Sequence, residues 1–384
     1  MKFIHTADWH LGKLVHGRHM TEDQAYVLRQ FVQEVEEKQP DFILLAGDIF
    51  DRSIPPVEAV KLYEDTLYEL VERLGVPVYA ISGNHDGPER LQFGSKMMQK
   101  SGYTIVGEMT TGIERFKVED EDGPVWIDLI PYIDPSIARY ILQREDIRTF
   151  DEAYEALIQT MPFEEHERHI AVAHAFVTPY GEPDETVTSD SERPLSIGGT
   201  EFVQAKHFAP YDYTALGHLH RAHRVSKETI RYSGSLMKYS QSEATHQKGY
   251  TLIEMDAAGN VEVEHCPLRP KRDLRVVEAT TEELEEMPHS DDYVFVRLLD
   301  RHPVYRPMEK VRETFPNALH VSQRANHSLT STEQKERLKQ IEKRDDITLF
   351  TSFYEAMYDA TPEEEERVLI EQLFDQVEKE ERHQ

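Results

Sequence analysis

FILLAGDIFD, residues 42–51, is a five-residue apolar run followed at once by a glycine, then Asp48 and Asp51. An apolar run that short, closed by a turn residue, fits a fully buried strand of a parallel sheet. The pattern recurs on both sides. Upstream, KFIH at 2–5 leads into Asp8 and His10 of DWH. Downstream, PVYAI at 77–81 leads into Asn84 and His85 of GNHD. Helical patterns fill the gaps, one at 21–38 with Ala25, Leu28, Phe31, Val32 and Val35 on one stripe, another at 57–73. The resulting βαβαβ order, with Gly and Asp at each strand exit, predicts an α/β fold around a largely parallel sheet. Ligands of such sheets gather beyond the carboxyl ends of the strands, where all three motifs fall.

Working outward, VWIDLIP at 125–131 predicts a strand and 134–160 a helical stretch. HIAVAH at 169–174 is a strand ending on His174, and YTALGHLH at 213–220 is another, ending on His218 and His220. Residues 178–199 are rich in Pro, Gly, Ser and Asp, which predicts a long loop near the site. RYSGS and GYTLIEM suggest a short antiparallel run. The pattern breaks near 270, at CPLRPKRDLRVVEA, so a first domain is expected at 1–270. DYVFVRLL and ALHVSQ, with a helical stretch at 306–314, predict a small α/β module at 271–325. A polar linker follows at 326–345, then a helical segment at 346–384. Its helices, at 346–382, carry two apolar stripes, Phe350, Phe353, Tyr354, Met357, Tyr358 and Leu369, Ile370, Leu373, Phe374, Val377.

Composition sets limits. At 384 residues, a prior of about 150 per domain gives two or three units. Hydrophobic residues make up 39% and charged residues 30%, which suits a well-solvated globular chain. Cys266 is the one cysteine, so neither a disulfide framework nor a cysteine zinc site is expected, consistent with a reducing cytoplasm. No signal peptide is evident at MKFIH, and no apolar run approaches the roughly 18 residues of a membrane span. The 43 basic against 72 acidic residues give a formal charge of −29. A chain that grips a polyanion alone usually shows a basic surface. Bound cations and a partner would have to supply positive field locally.

The chemistry lies in seven donors: Asp8, His10, Asp48, Asn84, His174, His218 and His220. Alternate side chains of an extended segment share a face, so Asp8 and His10 can reach one ion together, while His218 and His220 can flank the pair or serve one ion each. Asp48, after a strand and a glycine, is placed to bridge two ions. Mixed oxygen and imidazole donors in this number suit two divalent metals and phosphoester hydrolysis.

The order DWH, GDIFD, GNHD, strand-end His174 and GHLH resembles the calcineurin-like binuclear metallophosphoesterases. The opening HTADWHLGK with GDIFD and GNHD resembles, more narrowly, the SbcD-type DNA repair nucleases. The resemblance implies a sandwich of central mixed sheets flanked by helices, with a capping domain at 271–325. It implies Asp8, His10, Asp48 and His220 on one metal and Asp48, Asn84, His174 and His218 on the other, most often manganese, although such donors also suit iron and zinc. It implies that His85 approaches the scissile phosphate without binding metal, and that Asp51 accepts a hydrogen bond from its other nitrogen. Asp86 is expected to cap the helix after GNHD rather than act in catalysis, and Trp9 either to lie exposed by its motif position or simply to pack. The implied activity is 3′→5′ exonuclease and endonuclease cleavage of DNA in repair, recombination and replication. The implied partners are DNA, a second copy of the chain, and an SbcC-type coiled-coil ATPase docked on the C-terminal helices, in a heterotetramer. Two alternatives stay open: another phosphoesterase, such as a protein phosphatase or cyclic-nucleotide phosphodiesterase, and a non-catalytic scaffold. Protein phosphatases usually follow GDIFDR with Gly, whereas Ser53 stands here.

Overall fold

The computed structural model describes residues 1–164, 166–182, 188–192, 195 and 201–323, with isolated positions between 350 and 369. The linker expected at 326–345 lies outside the described residues, as do most of the helices expected at 346–382. By contact density the chain forms two units, 1–276 with 291–294, and 277–290 with 295–384.

The first unit holds two six-stranded mixed sheets. In one, Lys2–Thr6, Phe42–Ala46, Val78–Ile81 and Tyr103–Val106 run parallel, with Phe3 opposite Phe42, Ile43 opposite Val78, and Val78 opposite Tyr103. Gly249–Met255 pairs antiparallel with Lys2–Thr6, and Val261–Pro267 adds an antiparallel edge. In the other, Gly123–Ile130, Arg168–His174, Tyr213–Gly217 and Lys227–Tyr232 run parallel, flanked by antiparallel Glu114–Asp120 and His223–Val225. RYSGS therefore begins in a strand that lies parallel to Tyr213–Gly217. Of the two segments expected to form an antiparallel run, GYTLIEM alone is antiparallel to both of its neighbours.

The sheets pack face to face. Phe3, Phe42, Leu44, Ala46 and Ile81 from one meet Val125, Ile127, Leu129, Ile170, Val172 and Tyr213 from the other. Each large side chain so buried contributes about 1.5–3 kcal/mol of transfer free energy. The outer face of the second sheet is covered by two short helices, Pro135–Leu142 and Phe150–Ile158. A single stretch was expected there. It is broken because Gln143 turns left-handed and Thr149 starts the next helix with a capping box to Glu152. On the first sheet, helix Thr21–Lys38 buries Val27, Leu28, Phe31, Val32 and Val35. Helix Val57–Leu67 runs on as a π-helical turn, Tyr68–Arg73.

The second unit contains helices Thr281–Glu286 and Pro307–Thr314. A three-stranded sheet is ordered Leu274–Ala279, Tyr293–Leu298, Ala318–Gln323. Among the described residues no helix is long and apolar enough to cross a membrane.

Candidate metal centre

The parallel strands of both sheets end at one edge of the sandwich; His174 is the last residue of its strand, and the other donors follow closely on the ends of theirs. Gly217 permits the approach of the two sheets. A Cβ there would lie 1.8 Å from the Ala46 carbonyl. Gly83 does the same for the GNHD turn, where a Cβ would lie 2.1 Å from Asp48 Oδ1. The DWH and GDIFD loops are laced together by Asp8 N–H to Gly47 O at 3.0 Å, His10 N–H to Asp48 O at 3.0 Å and Leu11 N–H to Ile49 O at 2.9 Å.

The seven expected donors converge, but not by strand alternation. Asp8, His10 and Asp48 have φ of 54°, 46° and 51°, and His218 has 109°. These are turns in the left-handed region, which L-residues occupy at a cost of about 1–2 kcal/mol each. Asp8, His10, Asp48, His174 and His220 are buried. Two overlapping triads have ligand atoms within 4.8 Å of one another, Asp8–His10–His220 and Asp8–Asp48–His174; a third is His10–Asp51–His85. One oxygen, Asp48 Oδ2, stands 3.5 Å from His10 Nε2 and 3.6 Å from His174 Nε2. His174 Nε2 and His218 Nδ1 face Asn84 Oδ1 at 2.9 and 3.3 Å.

The polarity of these contacts fits divalent cations. His174 Nδ1–H donates to the Ala46 carbonyl at 2.9 Å, so its Nε2 carries a lone pair, and that lone pair faces another acceptor, Asn84 Oδ1. His220 Nδ1–H is directed at Glu243 Oε1, 3.2 Å away, so its Nε2 also carries a lone pair, facing His10 Nε2 at 2.9 Å. Asp8 Oδ2 and His10 Nδ1 are buried without a hydrogen-bond partner. Acceptors turned toward acceptors in a dry site are a poor arrangement for hydrogen bonds and a good one for cations. The electrostatics agree. Burial, then the neighbouring Asp48, pushes the Asp8 carboxyl well above the usual carboxylate range. Burial, then other histidines and Lys13, holds His10 well below its ordinary value, and burial holds His218 and His174 down too. The imidazoles are therefore neutral and available as ligands.

His85 lies beside the cluster, its Nε2 4.0 Å from Asp48 Oδ2. Its Nδ1–H donates to Asp51 at 2.9 Å, but to the main-chain carbonyl. The Asp51 carboxylate instead holds Lys13 at 2.8 Å and stands 3.7 Å from His10 Nδ1. Asp86 is not a helix cap. Its carboxylate accepts from the backbone of Ile49, Phe50 and Gly83 at 3.1, 2.8 and 2.9 Å, stitching the GNHD turn to the GDIFD loop, while Gly87 begins the next helix. Burial, then Asp48, pushes the Asp86 carboxyl up to about 7. Of the two readings of Trp9 the packed one holds: it is buried, and its indole N–H bonds Thr6 Oγ1 at 2.8 Å.

A supporting layer escaped the sequence reading. The buried Glu243 holds the His220 ring and pairs with Lys248 Nζ at 2.5 Å, and Lys248 also bonds the His220 carbonyl at 2.7 Å. Glu192 accepts the His220 N–H at 2.7 Å, and Ser191 Oγ lies 2.8 Å from Nδ1. A carboxylate behind a ligating imidazole fixes its tautomer and orientation. These residues lie in polar segments with no periodicity, and their charge alone was the available signal.

Residues 1–222 match the calcineurin-like phosphoesterase family, and residues 270–358 match the type 5 capsule protein repressor C-terminal domain, SbcD_C. The chain belongs to the calcineurin-like phosphoesterases. Within them it is 34% identical, over 370 residues covering 94% of both chains, to the D subunit of the SbcCD nuclease of Staphylococcus epidermidis. Solved structures that align include TT1561 of Thermus thermophilus, at 13% identity, TM-score 0.37, 68% of this chain and 97% of that one. A dimetal phosphatase from Danio rerio aligns at 13% identity, TM-score 0.39, 70% and 98%.

Proposed function

We propose that this chain is the nuclease subunit of an SbcCD-type complex, hydrolysing DNA phosphodiesters as a 3′→5′ exonuclease and endonuclease with two divalent ions, most often manganese. One observation carries the reading: lone pairs of His174 and His220 face other acceptors around a single carboxylate oxygen, Asp48 Oδ2. The full-length similarity to a component of an SbcCD nuclease supports the choice of substrate. Asp8, His10, Asp48 and His220 would hold one ion, and Asp48, Asn84, His174 and His218 the other. When bound, the pair supplies a hydroxide at neutral pH and neutralises the phosphate. His85, with Nδ1–H fixed on the Asp51 carbonyl, presents Nε2 to the departing oxygen; as the imidazolium it gives that oxygen the Nε2 proton and is left neutral. Asp86 and the Gly83 turn keep Asn84 and His85 in register with Asp48.

The same reading assigns a homodimer. Phe93 and Tyr68, 86% and 62% exposed, line an apolar groove of about 700 Å³ with Tyr63, Leu67, Leu91 and Tyr103. Exposed apolar area of this kind marks an association surface. The ATPase would dock on the 346–384 segment, and the complex would work in the cytoplasm. The deciding experiment is cleavage of plasmid and oligonucleotide DNA beside a chromogenic phosphodiester, with Mn²⁺, Mg²⁺ or chelator. Mn²⁺-dependent cutting of DNA, better than with Mg²⁺ because imidazoles favour the softer ion, is expected. Hydrolysis of the small ester with intact DNA would overturn the nuclease assignment.

A further inference from the structure

A polar cavity of about 310 Å³ is lined in part by the residues that directly follow His220 in the chain. Its wall includes Arg221, Arg231, Thr245, His246, Gln247 and His265, and among the described residues no carboxylate lines it. In a chain of charge −29 that is an unusual concentration of basic side chains. Arg231 comes from strand Lys227–Tyr232 and His265 from the edge strand Val261–Pro267, so the two sheets both contribute. Three nitrogens in this set are buried without a hydrogen-bond partner: Arg231 Nε, His246 Nδ1 and His265 Nδ1. A buried guanidinium N–H left unmatched is costly, and an anion would satisfy it. Arg231 is partly engaged, since Glu228 takes its Nη1. His265 gives Nε2–H to the Gln247 carbonyl at 3.2 Å, and burial lowers its affinity for a proton, so a bound anion has to draw that proton in before Nδ1 becomes a donor.

The cavity shares its framework with a metal ligand. Arg221 directly follows His220, about 3.8 Å away along the chain. Thr245–Gln247 lies between Glu243 and Lys248, the pair that clamps His220. We infer that this cavity is a phosphate subsite that holds a backbone phosphate of the nucleic-acid strand next to the scissile one, with Arg231 Nε and Arg221 as its fixed cations. It rests on the nuclease reading and supplies what the composition lacked, a built positive site for a polyanion.

The test uses the Mn²⁺-loaded full chain and a fluorescent single-stranded 12-mer with phosphorothioate linkages, bound by anisotropy, beside cleavage of the ordinary 12-mer and of bis(p-nitrophenyl) phosphate. Arg231→Gln/His265→Gln should raise the Kd for the 12-mer roughly tenfold, the loss of one charge-assisted hydrogen bond. The slope of log Kd against log salt should fall by about 0.7 for each phosphate no longer neutralised. Hydrolysis of the small ester, whose single phosphate sits on the metals, should not change. If the double variant does not fold, Arg221→Gln alone should show the same pattern at smaller amplitude. An unchanged Kd and salt slope would overturn the subsite, and so would equal loss on both substrates, which indicates a disturbed His220. Relief of inhibition by inorganic phosphate with an unchanged 12-mer Kd would assign the cavity to the free ion and overturn the strand reading. A wild type that binds the 12-mer without cutting it refutes the nuclease reading, while Kd still judges the cavity.

Discussion

Glu243→Gln is the substitution that asks most of the supporting layer. Glutamine keeps the shape and an acceptor for His220, but removes the counter-charge of Lys248. The two side chains are 0% and 4% exposed. Breaking a buried ion pair costs about 3–5 kcal/mol. Lys248 keeps its bonds to the His220 carbonyl and Ser235 Oγ, at 2.7 and 2.9 Å, so the low end, about 3 kcal/mol, is expected. At the lower conversion of about 2 °C per kcal/mol for large domains, Tm should fall by roughly 6 °C. Loosening the imidazole should also weaken Mn²⁺ binding by roughly 10–100-fold. Calorimetry with and without chelator reads the first effect, and a Mn²⁺ isotherm with elemental analysis reads the second. Glu243→Gln/Lys248→Met, which removes the orphaned cation, should recover most of the Tm and none of the affinity. Wild-type Tm and wild-type affinity in Glu243→Gln would refute the reasoning. Recovery of affinity in the double variant would show that Glu243 acts on Lys248 and not on His220.

Other substitutions separate the remaining roles. His85→Ala should retain both ions by elemental analysis while kcat falls roughly 10²-fold. Asp51→Asn should leave the His85 tautomer intact, since the acceptor is the main-chain carbonyl, and act through Lys13 and His10; a loss in kcat equal to that of His85→Ala would contradict this. Asp48→Ala should lose more metal and activity than any other single ligand variant, and full activity in chelated, metal-free protein would end the two-metal reading. His5 is held by burial down to about 3 from 6.5, with Nε2–H on the Leu216 carbonyl and Nδ1 accepting from the Tyr213 hydroxyl. Its folded pKa is depressed, so the unfolded chain binds the extra proton first, and stability is lost as pH falls from about 6.5 toward 3. Urea titrations at pH 7 and 5 should show about 2 kcal/mol of that loss, absent in His5→Gln.

What was legible in the sequence followed from short range. Asp8, Asp48, Asn84, His174 and His218 were readable because each ends or closely follows a buried apolar strand, and parallel strands bring their ends together. The geometry there was misread for a local reason. Asp8 and His10 meet through left-handed turns that lace DWH to GDIFD, and alternation along a strand plays no part. Glu243, Lys248 and Glu192 were not legible because they reach His220 across 23, 28 and 28 residues, which no periodicity encodes. Asp86 looked like a cap because acids favour helix starts. Three backbone N–H groups of a neighbouring loop and its own turn outcompeted that role.

The left-handed turns at Asp8, His10, Asp48 and His218 have a kinetic consequence. Their cost is met during folding, by the strands and the hydrogen-bonded loops that hold them, before any ion arrives. The chain therefore offers a finished socket and has little left to rearrange when metal enters. Stopped-flow mixing of metal-free protein with Mn²⁺ should give an uptake rate that climbs in proportion to ion concentration, without the plateau that a slow reorganisation of the backbone would impose.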